Sequence, residues 1–145
     1  STLAEKVSLE TYFKVIPCVE LQPFSWQGLQ LTPFFSYHAP QEDGYMPCFG
    51  LWIESEKTKI FFSNDSQYTP EYHEQRFQAA DYIFHDCETG EFKSGVHAHY
   101  TELIQMAPDI KKKTYLYHYE DRTLYDAPKD GFAGFVLPGQ IMKFE

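Results

Sequence analysis

An aspartate and a histidine that each follow an apolar segment are the residues whose types and positions best suit metal chemistry. Asp65 comes directly after the buried strand predicted over residues 59–63, and His118 follows the apolar residues 114–117. If the two side chains converge, the carboxylate is a hard ligand and the imidazole a borderline ligand for one divalent ion. Either residue alone is equally well explained as a turn or hydrogen-bonding residue, so the function depends on their convergence.

Two further clusters hold side chains that suit metal binding or proton transfer. In an extended segment, His97 and His99 point to the same side, so the pair can chelate, or one ring can enter a site while the other is buried. Asp86 and Glu88 can orient a histidine by accepting its second N–H, although a solvated acidic loop gives the same pattern. His38 ends another predicted strand and is a weaker candidate for the same cleft.

The elements that must position these residues are predicted from runs of aromatic and branched residues, turn signals and helix caps. Strands are expected over residues 12–19, 29–37, 49–54, 59–63, 81–84 and 114–119, and a closing hairpin over 132–136 and 140–144. Helices are expected over residues 71–80, after Thr69 and Pro70 as N-cap and first helical residue, and over residues 100–107, where Pro108 ends the helix. This order predicts an α/β (α+β) fold, a mixed β-sheet with helices on one face.

Length and charge narrow the range of functions. With 145 residues, the chain is predicted to form one domain over residues 1–145. Its 21 acidic residues against 12 basic ones give a formal net charge of −9, which repels a phosphate backbone. We therefore expect a small-molecule or nucleotide-type substrate and no long nucleic acid as a partner.

Cysteine usage and hydropathy indicate the compartment. Cys18, Cys48 and Cys87 are odd in number and far apart, which fits neither a disulfide framework nor a paired-cysteine zinc site. A reducing cytosol is the default for such a chain. No apolar stretch approaches the length of a membrane span, and the first residues lack the layout of a signal peptide. A cytoplasmic protein without a membrane partner is therefore expected.

Four segments, taken together, resemble a known family. Residues 60–66, 80–88, 97–103 and 115–119 carry the polar positions described above in an order that resembles the C-terminal half of a metallo-β-lactamase-fold hydrolase, nearest in pattern to the ribonuclease Z and phosphodiesterase branch. The resemblance covers residues 29–144. It implies half of an αββα sandwich, two divalent metal ions of zinc type, and hydrolysis of a phosphodiester or related ester by metal-bound hydroxide.

The resemblance also implies roles for individual side chains. Asp65 matches the aspartate that bridges the two metals, and His118 matches the last histidine ligand. His97 matches the catalytic histidine that is thought to assist the leaving group, because Glu102 falls at the expected spacing after it. His99 is the alternative for that role.

A second catalytic role falls to Asp86, which stands where the ribonuclease Z branch has a glutamate after a histidine. Asp86 would orient His97, with a side chain one carbon shorter than in that branch. The family's His-x-His-x-Asp-His loop, which supplies most metal ligands, is not matched in this chain. We therefore expect the chain alone to bind zinc weakly and to show little or no catalysis. Because half a sandwich exposes an apolar sheet face, self-association or pairing with a missing N-terminal half is also expected.

Two other functions are compatible with the same residues. A mononuclear iron oxygenase-like β-fold would use His97, His99 and His118, or two of them with a carboxylate, as its ligands. A non-catalytic binding or dimerisation domain would need a stable partner and would not need a metal to fold.

Overall fold

A seven-stranded mixed sheet with short helices is the architecture of the chain in its computed structural model, which describes residues 8–120 and 124–144. The strands are β1 (Phe24–Trp26), β2 (Leu29–Gln41), β3 (Gly44–Glu54), β4 (Lys59–Phe62), β5 (Tyr82–Asp86), β6 (Thr114–Tyr117) and β7 (Gly134–Phe135). The helices are α1 (Pro70–Ala79), α2 (Tyr100–Leu103) and α3 (Pro108–Lys111), with one turn of 3₁₀ helix at Leu9–Thr11. This architecture confirms the predicted fold class, a mixed α/β (α+β) sheet with helices.

Strand direction changes within the sheet and decides where the strand ends meet. Strands β1 to β4 form an antiparallel meander, whereas β4, β5, β6 and β7 run parallel to one another. In the parallel part, Phe62 pairs with Phe84 and Asp86 pairs with Tyr117. The carboxyl ends of β4, β5 and β6 therefore lie at one edge, the edge at which open α/β sheets build their sites.

The main core lies between the sheet and its helices. Phe61, Ile83 and Leu116 come from three neighbouring strands and are fully buried. They belong to one hydrophobic cluster with Phe77 of α1 and Leu103 of α2. Because alternate residues of a strand point to the same face, these positions define the core face of the sheet. Burial of each such side chain contributes roughly 1.5–3 kcal/mol.

The opposite face of the sheet is lined by aromatic rings that are only half-buried. Phe62 stacks on Tyr117 with 5.3 Å between ring centroids, and Phe84 stacks on Tyr115 with 5.4 Å between centroids. Phe144, from the C-terminal segment, packs edge-on against Phe84 at 6.0 Å. The other half of an αββα sandwich, or a second copy of the chain, would cover this face, and both arrangements stay predictions.

The strand predicted over residues 12–19 is wrong. One turn of 3₁₀ helix ends at Thr11, and the residues that follow have no regular structure. Aromatic residues favour a strand only where a neighbouring strand pairs with them and buries their rings. Tyr12 and Phe13 lack that cover and remain mostly exposed, at 73% and 65%.

The helices agree with the prediction in part. Helix α1 begins at Pro70 and ends one residue earlier than predicted. The helix predicted over residues 100–107 ends at Leu103, and Pro108 begins α3, because the fixed φ angle of proline suits the first helical position. In the described part of the chain, no helix has the length and apolar character needed to cross a membrane.

The predicted closing hairpin is wrong in its second strand. Its turn is present: Gly139 has φ 75°, and Gln140 donates its N–H to the carbonyl oxygen of Leu137 at 3.0 Å, as in a type II turn. However, β7 pairs with β6 in the parallel direction, and the residues after the turn form no strand. Phe144 instead packs on Tyr82 with 4.8 Å between ring centroids.

Gly50 of β3 lies against the ring of Phe34 on β2. A β-carbon at this position would overlap that ring and come within 2.8 Å of the carbonyl oxygen of Phe62. Gly50→Ala should therefore lower the free energy of unfolding by about 1–3 kcal/mol, measured by urea unfolding. Gly90→Ala is the control, because its added carbon comes no closer than 3.1 Å to the carboxylate of Glu120 and 3.7 Å to the carbonyl oxygen of Phe92. Equal stability of the two variants would contradict this account.

His73 of α1 is a buried imidazole among aromatic rings. Its ring centroid lies 5.1 Å from that of Phe34 and 5.5 Å from that of Phe61. Neither ring nitrogen has a hydrogen-bond partner among the residues that the structure describes. Burial, and to a smaller extent the charge of Arg76, lowers the pKa of His73 from 6.5 to about 4. The fold therefore holds this imidazole neutral.

This lowered pKa makes stability depend on pH. The unfolded chain protonates His73 at a higher pH than the fold does, so stability should fall as the pH drops from 6.5 towards 4. Between about pH 7 and about pH 5, the wild-type chain should lose about 2 kcal/mol more stability than His73→Leu. Urea unfolding of both proteins at the two pH values measures the difference. Parallel pH profiles would show that His73 titrates normally in the fold.

Candidate functional site

Three side chains converge at the carboxyl edge of the parallel strands. Asp86 is the last residue of β5, His118 directly follows β6, and His97 lies in the segment before α2. Each offers one ligand atom, a carboxylate oxygen or a ring nitrogen, and these atoms lie within 4.8 Å of one another. These residues, which we call the His–Asp group, can hold one metal ion.

Asp86 is fully buried and ties both rings in place. Its Oδ2 accepts hydrogen bonds from Nδ1 of His97 at 2.6 Å and from the backbone N–H of Ser66 at 2.8 Å. Its Oδ1 accepts from Nδ1 of His118 at 3.0 Å. A carboxylate only accepts, so each Nδ1 carries its hydrogen in this arrangement, and a cation held by all three groups would take the place of those hydrogens. The predicted orienting role of Asp86 requires this geometry, and the role itself stays a prediction.

Asp65 lies beside the His–Asp group. Its Oδ1 is 3.7 Å from Nδ1 of His118, and the two side chains are about half exposed, at 49% and 47%. The two residues predicted to converge are therefore neighbours at the same edge of the sheet. Asp86, which is the nearer acceptor for His118, takes the central position between the rings. Metal ligation by Asp65 and His118 stays a prediction.

Two residues at the strand ends adopt left-handed backbone conformations. Asn64, after β4, has φ 56°, which asparagine tolerates. His118, after β6, has φ 68°, a left-handed conformation that a residue with a Cβ atom adopts at a cost in free energy. The bend turns the chain out of the line of β6, and the ring of His118 meets Asp86.

A hydroxyl network behind the His–Asp group joins the ends of the parallel strands. Ser63 accepts the backbone N–H of Asp86 at 2.9 Å and donates to the carbonyl oxygen of Asn64 at 2.7 Å. Tyr117 donates to the same carbonyl at 2.8 Å and lies 3.0 Å from the hydroxyl of Ser63. Burial raises the pKa of Tyr117, so its hydroxyl stays protonated. Sequence patterns did not reveal Ser63 and Tyr117 as site residues, because both resemble ordinary residues at strand ends.

The two histidines of the 97–99 segment have different environments. His97 bonds to Asp86, whereas His99 caps the amino end of α2, where Glu102 accepts its backbone N–H at 3.1 Å in a capping box. Glu102 therefore supports a helix end and not His97. For the rival iron site, the set of His97, His99 and His118 is not assembled, because the imidazole of His99 is engaged in the cap. Its other form, two of these histidines with a carboxylate, corresponds to His97, His118 and Asp86.

Two other candidates lie close to the group or in its loop. The ring centroid of His38 is 5.1 Å from that of His97, and its Nδ1 bonds to the carbonyl oxygen of Val96 at 3.1 Å. His38 therefore borders the site, although it lies inside β2, where the pairing with β3 shifts between Tyr37 and Pro40, and not at the end of a strand. Glu88 accepts the backbone N–H of Ser94 at 2.8 Å and orders the loop instead of orienting a histidine.

Comparison with known proteins decides the family. A family model described as anti-Pycsar protein Apyc1 matches residues 1–142. The chain belongs to the Apyc1 family. A curated relative, the anti-Pycsar protein Apyc1 of Paenibacillus harenae, is 31% identical over 120 residues, which cover 78% of the chain and 44% of the relative. The chain thus matches less than half the length of this Apyc1 protein.

Solved structures support the fold. The metallo-β-lactamase-fold protein YhfI of Bacillus subtilis gives a TM-score of 0.64 at 19% identity, over 90% of the chain and 55% of that protein. A possible metal-dependent hydrolase of Veillonella parvula gives 0.52 at 12% identity, over 68% of the chain and 42% of that protein. At these identities the likeness shows the fold alone, and it is the metallo-β-lactamase fold that the sequence resemblance implied. The ribonuclease Z branch and the half-domain stay predictions.

The family match contradicts the function predicted from the sequence. Metal-dependent hydrolysis of a phosphodiester or related ester was expected, whereas the family and its curated relative carry the description anti-Pycsar protein. That description names neither an iron oxygenase nor a dimerisation domain. The physical reason is that one fold, with similar polar residues at its strand ends, supports many functions.

Asp86→Asn should lower the affinity for divalent metal at least about tenfold, because an amide cannot orient both imidazoles as the carboxylate does. Calorimetric titration with a panel of divalent ions measures the affinity. Asp109→Asn, the same substitution at an exposed position of α3, is the control and should leave the affinity unchanged. His118→Ala, at a half-exposed side chain, should reproduce the loss without disturbing the core. Unchanged affinity in both site variants would exclude this metal site.

Proposed function

We propose that the chain acts in an anti-Pycsar protein and inhibits cyclic-nucleotide signalling by binding the cyclic nucleotide at Asp86, His97 and His118. The observation that carries the proposal is the convergence of one carboxylate and two imidazoles, within 4.8 Å of one another, in a chain of the Apyc1 family. An inhibitor that lowers the free concentration of a nucleotide has to bind it, and the phosphate is the charged group through which a metal site can do so. The His–Asp group supplies a site for that recognition.

A cation at this site would offset an unfavourable electrostatic field. The chain has a formal net charge of −9, and Asp65 and Asp86 both lie at the carboxyl edge, so a phosphate is repelled there. A divalent metal held by Asp86, His97 and His118 would neutralise this charge and attract the phosphate. One carboxylate and two imidazoles suit a borderline cation, and zinc is the first candidate.

Each side chain has a separate task in this proposal. Asp86, wholly buried and bonded to the N–H of Ser66, holds both imidazole rings in one orientation. His97 and His118 each direct Nδ1 at that carboxylate, and 21% and 47% of their side-chain surfaces are exposed. His38, with its ring 5.1 Å from that of His97, borders one side of the site.

Regions beyond this chain belong to the same proposal. The chain matches 44% of the length of its Apyc1 relative. In the proposal, residues of the protein outside this chain can supply further metal ligands and hold a second metal ion. The half-buried aromatic face, with Phe62 on Tyr117 and Phe84 on Tyr115, would receive an N-terminal half or a second copy of the chain.

Equilibrium dialysis of the intact protein tests the proposal. The ligands are the 3′,5′-cyclic monophosphates of adenosine, cytidine, guanosine and uridine, each with Zn²⁺ and with a chelator. In the presence of Zn²⁺, the free concentration of at least one of these nucleotides should fall because the protein binds it. His118→Ala should weaken the binding of that nucleotide about tenfold or more. Tyr72→Ala removes an exposed ring from α1 and is the control, which should behave as the wild type does.

Two results would reject the proposal. The first is that none of the cyclic nucleotides is depleted from solution with or without metal. The second is that His118→Ala depletes them as fully as the Tyr72→Ala control does, because the His–Asp group would then play no part in recognition.

A further inference from the structure

An apolar surface lies next to the His–Asp group and has no role in the function proposed above. Tyr119, Val136, Leu137 and Pro138, which we call the apolar ledge, line an open cavity of about 470 Å³ together with His118. This volume lies in the range of roughly 300–1,000 Å³ that small-molecule sites occupy. Leu137 is 59% exposed, so its side chain is free to contact a ligand.

Hydrogen bonds hold the apolar ledge in shape. Tyr119 donates its hydroxyl to the carbonyl oxygen of Val136 at 2.9 Å, and its ring packs on Phe135 with 4.5 Å between centroids. Two hydrogen bonds between Gln140 and Leu137 stabilise the adjoining turn. Gln140 donates its backbone N–H to the carbonyl oxygen of Leu137 at 3.0 Å, and its side-chain Oε1 accepts the backbone N–H of Leu137 at 2.9 Å. A surface held in this way is preformed, which reduces the cost of ordering it on binding.

We propose that the apolar ledge binds the base of the nucleotide whose phosphate lies at the His–Asp group. His118 belongs to both surfaces, so the apolar ledge is within reach of a ligand bound at the His–Asp group. This inference rests on the proposed function and adds to it the surface that contacts the base. The site takes a phosphate ester that carries a flat ring, in preference to inorganic phosphate.

The chemistry of the apolar ledge fits an uncharged ring. Val136, Leu137 and Pro138 offer only apolar side-chain contacts, and the hydroxyl of Tyr119 is already engaged by a carbonyl. A second charged group would lose its hydration there without gaining a partner. A base, by contrast, has an apolar face that can pack on such side chains. This contact does not depend on which hydrogen-bonding groups lie at the edge of the base.

Leu137→Ser in the intact protein with Zn²⁺ tests this inference, with Ile141→Ser as the matched control. Ile141 is 87% exposed and lies outside the apolar ledge. Leu137→Ser should bind cyclic nucleotides about fivefold or more weakly than the wild type, because apolar contact with the base is lost. Its affinity for inorganic phosphate should not change, and Ile141→Ser should match the wild type for both ligands.

Methyl NMR spectra give a second measurement on the unaltered protein. Addition of a cyclic nucleotide should shift the methyl signals of Leu137 and Val136 through the ring current of the base, whereas inorganic phosphate should not. If nucleotide binding shifts the signals of His118 but not the methyl signals of Leu137 and Val136, the inference is overturned and the proposed function stands. Equal weakening of nucleotide and phosphate by Leu137→Ser would also overturn it. If neither phosphate nor any of the cyclic nucleotides binds the wild type, the proposed function and the inference are both overturned.

Discussion

The hydrogen bonds of one buried carboxylate determine the geometry of the candidate site. Asp86 has no exposed surface, and its two oxygens accept from His97, His118 and the backbone N–H of Ser66. A carboxylate at such depth is stable only when its oxygens are satisfied, and these three donors satisfy them. The backbone of Asp86 is in turn fixed by Ser63, which ties the site to the sheet.

The parallel strands turn this local arrangement into a surface that can bind a ligand. Because β4, β5 and β6 run in one direction, their carboxyl ends bring Asp65, Asp86 and His118 to the same edge. The apolar ledge lies next to His118 and is formed by Tyr119 and by residues 136–138 after β7, so the His–Asp group adjoins an apolar surface. A phosphate ester with a ring matches this division of chemistry, which is why the two proposals concern adjacent parts of one ligand.

The local signals along the chain predicted much of the parallel part of the sheet. Short apolar runs ended by polar residues identified β4, β5 and β6 to within a few residues, since both features are local. The strand over residues 12–19 and the second strand of the closing hairpin failed, because strand formation there depended on a pairing partner that aromatic content does not reveal. The predicted function failed for a related reason: residue types at strand ends indicate chemistry and not biological role.

From the amino-acid order alone one obtains the candidate ligands and the strand ends that carry them, because residue type and hydrophobic spacing are local properties. Folding decided which of those candidates meet. Asp86 became the acceptor for rings 11 and 32 positions further along the chain, while His99 was drawn into a helix cap. Such contacts depend on strand register and on the left-handed turn at His118, and both arise only when distant segments pack together.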